Sequence, residues 1–357
     1  MSSYTPTTLK ADNRLLVLCE RDVGLFSLVQ QVIANIPRAL SENRVPVVLF
    51  GDRCCYFTPS GYRGRDTVWE YYFEPVVADA PASCIPEKAR RAIQESWSGF
   101  PWTAFELDDS ITVSNHFGDH PELEGRALRI PYERDDPGPA LRRRTASIIQ
   151  TCVRPREYLQ REVDAFCNEM LSSSFVVGVH MRGTDAASGA EDRSFRWGSL
   201  NFEKYKANVS RLLDEHPDAL IFVATDEERS LSFMQRTFGR RVRSYETLRH
   251  QDGNPVGRGP DGWLMPSYIA SDRDRAARNG EEAVADYLTL CRCHHLIHNG
   301  SGLARTALLA MPNLPHTNTH HLTSFIGRSR HFLSVRMPWK GRRMLRYFAT
   351  PQSERTP

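Results

Sequence analysis

The chain has 357 residues, 40% of them apolar and 25% charged, and its 46 Lys and Arg nearly balance 43 Asp and Glu for a net charge of +3. That length predicts about two domains, each able to bury a core of its own, and the composition is that of an ordinary soluble globular protein. So small a charge gives little steering toward nucleic acid, and no nucleic-acid partner is expected. No apolar run approaches the ~18 residues of a membrane span, and residues 1–14 lack the charged flank and apolar stretch of a signal peptide. Eight cysteines at irregular spacing fit reduced thiols better than disulfides, so a cytoplasmic location is expected.

Residues 14–19 predict a strand, 25–42 a mostly amphipathic helix with a bend at Pro37, and 45–50 a second strand, a βαβ unit opening an α/β domain. Residues 52–138 are rich in aromatics, Pro and Gly and show little periodicity. Helical patterning returns over 140–171, and a domain boundary is expected between 150 and 172. From Phe175 onward strands and helices alternate: a strand to Met181, a helix over 202–215, a strand over 220–224, a helix near 227–238 and a short strand over 242–245. Residues 249–280 read as a Gly-, Pro- and Asp-rich loop of the kind that serves as a lid or binding segment. A helix over 281–293, a strand ending at His298 and a helix over 303–311 capped by Ser301 complete the pattern. Past residue 325 the chain is basic, with Arg328, Arg330, Arg336, Lys340, Arg342, Arg343 and Arg346 and no acidic residue between 326 and 346. This is either a solvated tail or a contact for anionic lipid or glycan.

The run Phe175-Val-Val-Gly-Val-His-Met-Arg-Gly-Thr-Asp185 takes an apolar strand straight into ionisable residues. Leu220-Ile-Phe-Val-Ala224 likewise ends in Thr225-Asp226, and Leu296-Ile-His298 in Asn299-Gly-Ser-Gly302. Open α/β sheets bind ligands beyond the carboxyl ends of their strands, so these three ends predict one shared binding edge. Arg182 supplies a permanent cation with a planar donor fork suited to phosphate or carboxylate. Ser301 at a helix start adds a hydroxyl and free N–H groups that favour an anion, and Gly300 and Gly302 let that backbone approach closely. Together they describe a pyrophosphate site without a metal. The plainer alternative pairs Arg182 with Asp185 and leaves Ser301 as a cap. Asp286, inside a helix, either accepts two N–H bonds from a purine edge of the guanine type or faces solvent. Cys291, Cys293, His294, His295 and His298 straddle a helix end and a strand without tetrahedral zinc spacing, and no metal is expected.

At these motifs the chain resembles the GDP-fucose-dependent fucosyltransferases, in particular the α-1,6-fucosyltransferases that include bacterial nodulation enzymes, and the related protein O-fucosyltransferases. The resemblance rests on His-Met-Arg-Gly-Thr-Asp at 180–185, Ala-Thr-Asp at 224–226, and Asp286 followed by Cys-Arg-Cys-His-His and Asn-Gly-Ser-Gly; it covers residues 172–315 and, before them, the opening βαβ with its turn at Gly24. It implies an α/β fold of the GT-B type, two Rossmann-like domains facing a cleft, with residues 1–165 on the acceptor side, 166–325 forming the donor domain and 326–357 a basic extension. It implies inversion at the anomeric carbon, no cofactor, GDP-fucose as donor and a glycan or glycoconjugate as acceptor. Carried over by position, Arg182 would hold the β-phosphate, His180 and Asp286 the guanosine, and Ser301 the phosphates, with Gly24 in the donor-side turn and Asp226 supporting from the next strand.

Two departures stand out. Gly183 and Ala186 occupy positions where the α-1,6 enzymes carry a second basic residue and a lysine. Their acceptor-activating carboxylate falls about where this chain has Ala190, leaving Glu191, with Asp192 beside it, as the expected base and Asp185 as the reserve. The aromatic run at 69–73 (WEYYF) is a candidate for stacking on acceptor sugars or for the core. Rival readings are a transferase using another nucleotide sugar and a non-catalytic nucleotide- or glycan-binding protein.

Overall fold

Six-residue apolar runs bounded by polar ones make strands covered on both faces, and the chain forms them on either side of its first helix. The computed structural model describes residues 14–21, 23–96, 104–117, 120–123, 125–130, 136–170, 175–183, 200–251 and 272–319. β1 (Arg14–Cys19), α1 (Leu25–Ser41) and β2 (Arg44–Leu49) form the expected βαβ unit, and α1 runs on through Pro37. Residues 25–36 of α1 are buried on every side, among them Ser27, Gln30, Gln31 and Asn35, whose side chains make hydrogen bonds in the interior.

The stretch that read as irregular holds regular structure. α2 (Val68–Tyr72), α3 (Glu87–Ser96) and a hairpin of β3 (Ala104–Asp108) and β4 (Ile111–Ser114) lie within it. β4 pairs parallel with β1, giving a four-stranded sheet of order β2-β1-β4-β3 in which only β3 is antiparallel. Asp108 closes the hairpin by accepting from Ser110 N, Ser110 Oγ and Ile111 N. Of the two readings of the aromatic run the core one holds: Trp69, Tyr71, Tyr72 and Phe73 are all essentially inaccessible.

The helical stretch after it divides at Pro155 into α4 (Pro139–Cys152) and α5 (Glu157–Met170). A second, wholly parallel sheet follows, of order β7-β6-β5-β8-β9: β5 (Val176–Met181), β6 (Leu220–Thr225), β7 (Val242–Arg243), β8 (His295–His298) and β9 (His316–Asn318). α6 (Phe202–Glu215) and α7 (Glu228–Phe238) cover one face of this sheet, where Val177, Val179, Met181, Ile221, Val223 and Ile297 meet Tyr205, Val209, Leu212 and Met234. The alternate residues Val176, Phe222, Ala224 and Leu296 face the other way, into one continuous core that also holds β1, α1, α8 (Arg273–Leu290) and α9 (Gly302–Ala310). Gly178 lies on that second face because a Cβ there would sit 2.9 Å from Cys293 Sγ and Leu290 Cδ2.

α8 begins at Arg273, eight residues before the helix predicted from periodicity. Asp272 caps it by accepting from Arg275 N at 3.1 Å. Its first turns are held by the other half of the chain. Tyr72 Oη donates to Ala277 O at 2.6 Å and fills the space where a side chain on Gly280 would be. Thr58 Oγ1 donates to Asp274 at 2.8 Å, and the Arg63 fork grips Glu281 at 2.9 and 3.1 Å. Arg142 of α4 donates to the carbonyls of Leu308 and Met311 at the end of α9, which have no helical partners, and to Leu314 O in the turn beyond it. No described helix is long and apolar enough to cross a membrane, and none of the eight cysteines is paired.

Candidate functional site at the carboxyl edge of the second sheet

In the second sheet the chain goes from β5 outward through β6 to β7, then returns to the opposite side of β5 as β8 and β9. The carboxyl ends of β5 and β8 therefore flank a topological switch point, the place where open α/β sheets leave a crevice for a ligand. His180 lies in register with Ala224 on one side and His298 on the other.

Arg182, just past the end of β5, is fixed from both neighbouring strands. Asp226 Oδ2 meets Arg182 Nη1 at 2.9 Å, and Asp226 Oδ1 accepts from Gly183 N at 3.1 Å. From the β8 side Asn299 clasps the Arg182 main chain, its Nδ2 donating to Arg182 O at 2.8 Å and its Oδ1 accepting from Arg182 N at 3.4 Å. The Arg182 side chain is 38% exposed. Gly183 is required here, because a Cβ would lie 2.5 Å from the carboxylate of buried Glu227, which is held by Ser230 Oγ at 2.8 Å and Arg229 at 3.0 Å. That carboxylate occupies the space a larger residue at 183 would need.

His180 turns its ring toward α9. Its Nδ1 lies 3.2 Å from Ser301 Oγ, and its carbonyl accepts from Tyr205 Oη at 2.9 Å. Burial pushes its pKa down to about 4, with Asp226 opposing and Arg182 adding to the shift, so the ring is neutral near pH 7. Ser301 caps α9, accepting from Ala304 N at 3.2 Å. Its hydroxyl is thus engaged with the helix and with His180, and the groups left to face an anion are the first-turn N–H groups of Gly302 and Leu303. The start of α1 abuts this point: the Gly302 Cβ position is 3.7 Å from Phe26 and Ser27, and Gln30 Nε2 donates to Gly302 O at 2.9 Å. Gly24 caps α1 with no side chain, and Tyr56 Oη accepts from Leu25 N at 3.2 Å. Arg182 is near enough to Tyr56 to offset part of the burial that raises the phenol's pKa. Two helix N-termini and one guanidinium thereby share a small region.

Asp286 is half-buried on α8 and accepts no hydrogen bond from a described residue. Burial pushes its carboxyl up to about 8; the Arg249 guanidinium opposes this, and the carboxylates of Glu282 and Asp226 reinforce it. Arg249 is buried, donates to Tyr245 O at 2.6 Å and has an Nε without a partner.

The Cys and His residues of 291–298 serve separate contacts. Cys293 Sγ donates to Thr289 O, His294 Nδ1 accepts from Val176 N, and His295 Nε2 meets Thr317 Oγ1. Among the described residues two other groups gather metal-type ligands, His116 with His120 and Glu122, and Asp136 with His298 and His316. In the first the two imidazoles stack with centroids 3.7 Å apart, so their in-plane lone pairs run side by side rather than converging. In the second, His298 Nδ1 accepts from Gly300 N at 3.0 Å, which leaves the ring proton on the Nε2 that faces Asp136 at 3.4 Å. A protonated nitrogen offers no lone pair to a cation, and Nε2 makes no hydrogen bond to the carboxylate it faces.

Of the residues expected from sequence, His180, Arg182, Asp226 and Ser301 lie in one contiguous network, Gly24 lies against it, and Asp286 is within electrostatic reach of Asp226. Arg182 pairs with Asp226; Asp185 and Glu191 fall outside the described residues, as do the lid-like stretch 252–271 and the basic extension. Asn299, Glu227, Tyr56, Gln30 and Arg249 were missed. For Asn299 and Glu227 a signal existed, since each directly follows a strand-end motif. Tyr56, Gln30 and Arg249 carried none.

No protein-family model matches the sequence and no curated protein matches it. The comparison of structures is informative, and it places the chain in the α/β fold of proteins crystallised with GDP and GDP-fucose. POFUT1 in complex with GDP superposes over 87% of this chain and 99% of its own, with a TM-score of 0.50 and 13% identity. POFUT1 in complex with GDP-fucose does so over the same shares, with a TM-score of 0.50 and 11% identity. The fucosyltransferase NodZ from Bradyrhizobium aligns over 83% of this chain and 92% of its own, with a TM-score of 0.47 and 14% identity.

Proposed function

We propose that the chain is a glycosyltransferase that moves L-fucose from GDP-fucose to a glycan hydroxyl, with inversion and without a divalent metal. The observation that carries the reading is Arg182, fixed at the switch point by Asp226 and Asn299 beside the N-termini of α1 and α9. As GDP leaves, charge builds on its β-phosphate. A preorganised guanidinium and two helix N-termini stabilise that charge, a task often given to Mg²⁺. Charge-assisted hydrogen bonds of this kind are worth about 1.5–3 kcal/mol each. Asp286 supplies the acceptor for a guanine edge. In the GT-B arrangement this reading implies, residues 1–165 form the acceptor side and 166–325 the donor side. A carboxylate in the segment after β5, Glu191 by preference over Asp185, takes the acceptor proton. The protein works in the cytoplasm, with the basic extension available to an anionic membrane surface. The fold shared with POFUT1 in its GDP-fucose complex supports this choice of donor.

The test is calorimetric titration with GDP, UDP, ADP and CMP, each with and without EDTA, followed by transfer assays with GDP-fucose. Binding of GDP in preference to the others, unchanged by chelation, is expected. Binding that requires Mn²⁺ or Mg²⁺, or equal binding of all four, would overturn the reading.

A further inference from the structure

The contact between Ser301 and His180 determines which ring nitrogen of His180 carries its proton. Ser301 Oγ already accepts from Ala304 N at 3.2 Å, and His180 Nδ1 lies 3.2 Å away. Both side chains are buried. If Nδ1 carried the proton, it would donate to Ser301 Oγ, and the hydroxyl's own hydrogen would be left in the interior without an acceptor among the described residues. Leaving a buried donor unpaired is the costly outcome. If the hydroxyl donates instead, every polar atom of the pair is satisfied: Oγ accepts from the helix and gives its hydrogen to Nδ1. The remaining ring proton then sits on Nε2, which makes no hydrogen bond to a described residue and belongs to the ring at the switch point, in register with Ala224 of β6.

We infer that Ser301 is a positioning residue that locks His180 as the Nε2–H tautomer, so the site presents a neutral N–H donor and selects nucleobases carrying a carbonyl acceptor over those carrying an exocyclic amine. The inference deepens the nucleotide reading above and rests on it for the identity of the ligand. The depressed basicity of the ring agrees, since a neutral imidazole has one donor and one acceptor whose places are fixed by its partner. The carboxylate of Asp286 would accept from the ring edge of the same base; His180 would add the complementary donor. Helix capping and base selection therefore depend on one hydroxyl.

The experiment uses the full chain labelled with ¹⁵N-histidine, the His180 signals being assigned by their loss in His180→Gln. Long-range ¹H–¹⁵N correlation near neutral pH should show Nε2 protonated and Nδ1 bare. A protonated Nδ1 would overturn the inference whatever any variant does. Calorimetry then compares GDP, IDP and ADP, because the hypoxanthine base keeps the carbonyl and lacks the amine of guanine. Ser301→Ala should mix the tautomers and weaken GDP and IDP by about tenfold, the scale of one hydrogen bond, with little effect on ADP. Ser301→Thr, which retains hydroxyl and cap, should restore both. An equal loss for all three ligands would mean that Ser301 only caps the helix. If the wild-type chain binds no nucleoside diphosphate, the proposed function fails, while the ring tautomer still decides the relay.

Discussion

A carboxyl held near pH 8 cannot accept two N–H bonds from a base edge until it gives up its proton, because one oxygen then carries a donor, so the affinity for GDP should depend on pH through Asp286. When only the ionised form binds, affinity scales as 1/(1 + 10^(pKa − pH)), so raising the pH from about 7 to about 8.5 should lower Kd by about eightfold, or about 1.2 kcal/mol. The second ionisation of a phosphate near pH 6 is largely complete at the start of that window, so GDP itself contributes little. Calorimetry in two buffers of different ionisation enthalpy should also report the release of close to one proton at the lower pH. Asp286→Asn should bind GDP weakly and without this slope, and ADP should show no slope with either protein. A flat wild-type profile, or a slope that survives in Asp286→Asn, would refute the reasoning. Folding responds with the opposite sign. An acid whose pKa is raised in the folded state keeps its proton better there, so stability present below the ordinary carboxyl range drains away as pH climbs toward 8. Asp286→Asn should therefore raise Tm in mildly alkaline buffer.

Arg182→Lys should lose most transfer activity and weaken GDP, because a point charge replaces neither the bidentate fork nor its pairing with Asp226; near-parental turnover would remove the donor site from this edge. Gly183→Ala places a methyl 2.5 Å from the Glu227 carboxylate and should cost about 1–3 kcal/mol in chemical denaturation, the range for overpacking. An unchanged midpoint would show that Glu227 moves aside freely. Glu191→Gln should slow transfer by about 10²–10⁴ with GDP affinity nearly unchanged. If instead Asp185→Asn is dead and still binds GDP while Glu191→Gln is active, the base is Asp185.

The parallel strands were legible because each is an apolar run that stops at a polar residue, and β5, β6 and β8 need that pattern to be buried on both faces. Their order was what turned three strand ends into a site, and order is a property of the crossovers that no run of residues displays. β9, His316-Thr-Asn318, is polar and three residues long; it exists because it pairs with β8. The start of α8 was hidden by Arg273, Arg278 and Gly280, which suggest a loop until Tyr72 is seen occupying the glycine's side-chain space. Arg182 stood out in the sequence as a strand-end cation, but its partner Asp226 lies 44 positions on and comes alongside only through the pairing of β5 with β6. Asn299 stood in plain view at the head of the Asn-Gly-Ser-Gly run after β8. Its amide is spent on the backbone of Arg182.

The fastening of α8 to Thr58, Arg63 and Tyr72 bears on how a ligand would feel the two ends of its site. Asp286 is mounted on a helix riveted to the first sheet's side of the molecule, whereas Arg182 directly follows β5. A nucleotide reaching from one to the other is a strut between two supports. Loosening the rivets, by Arg63→Ala or by mild denaturant, would let the supports drift, and selectivity for the base would decay before the grip on pyrophosphate does.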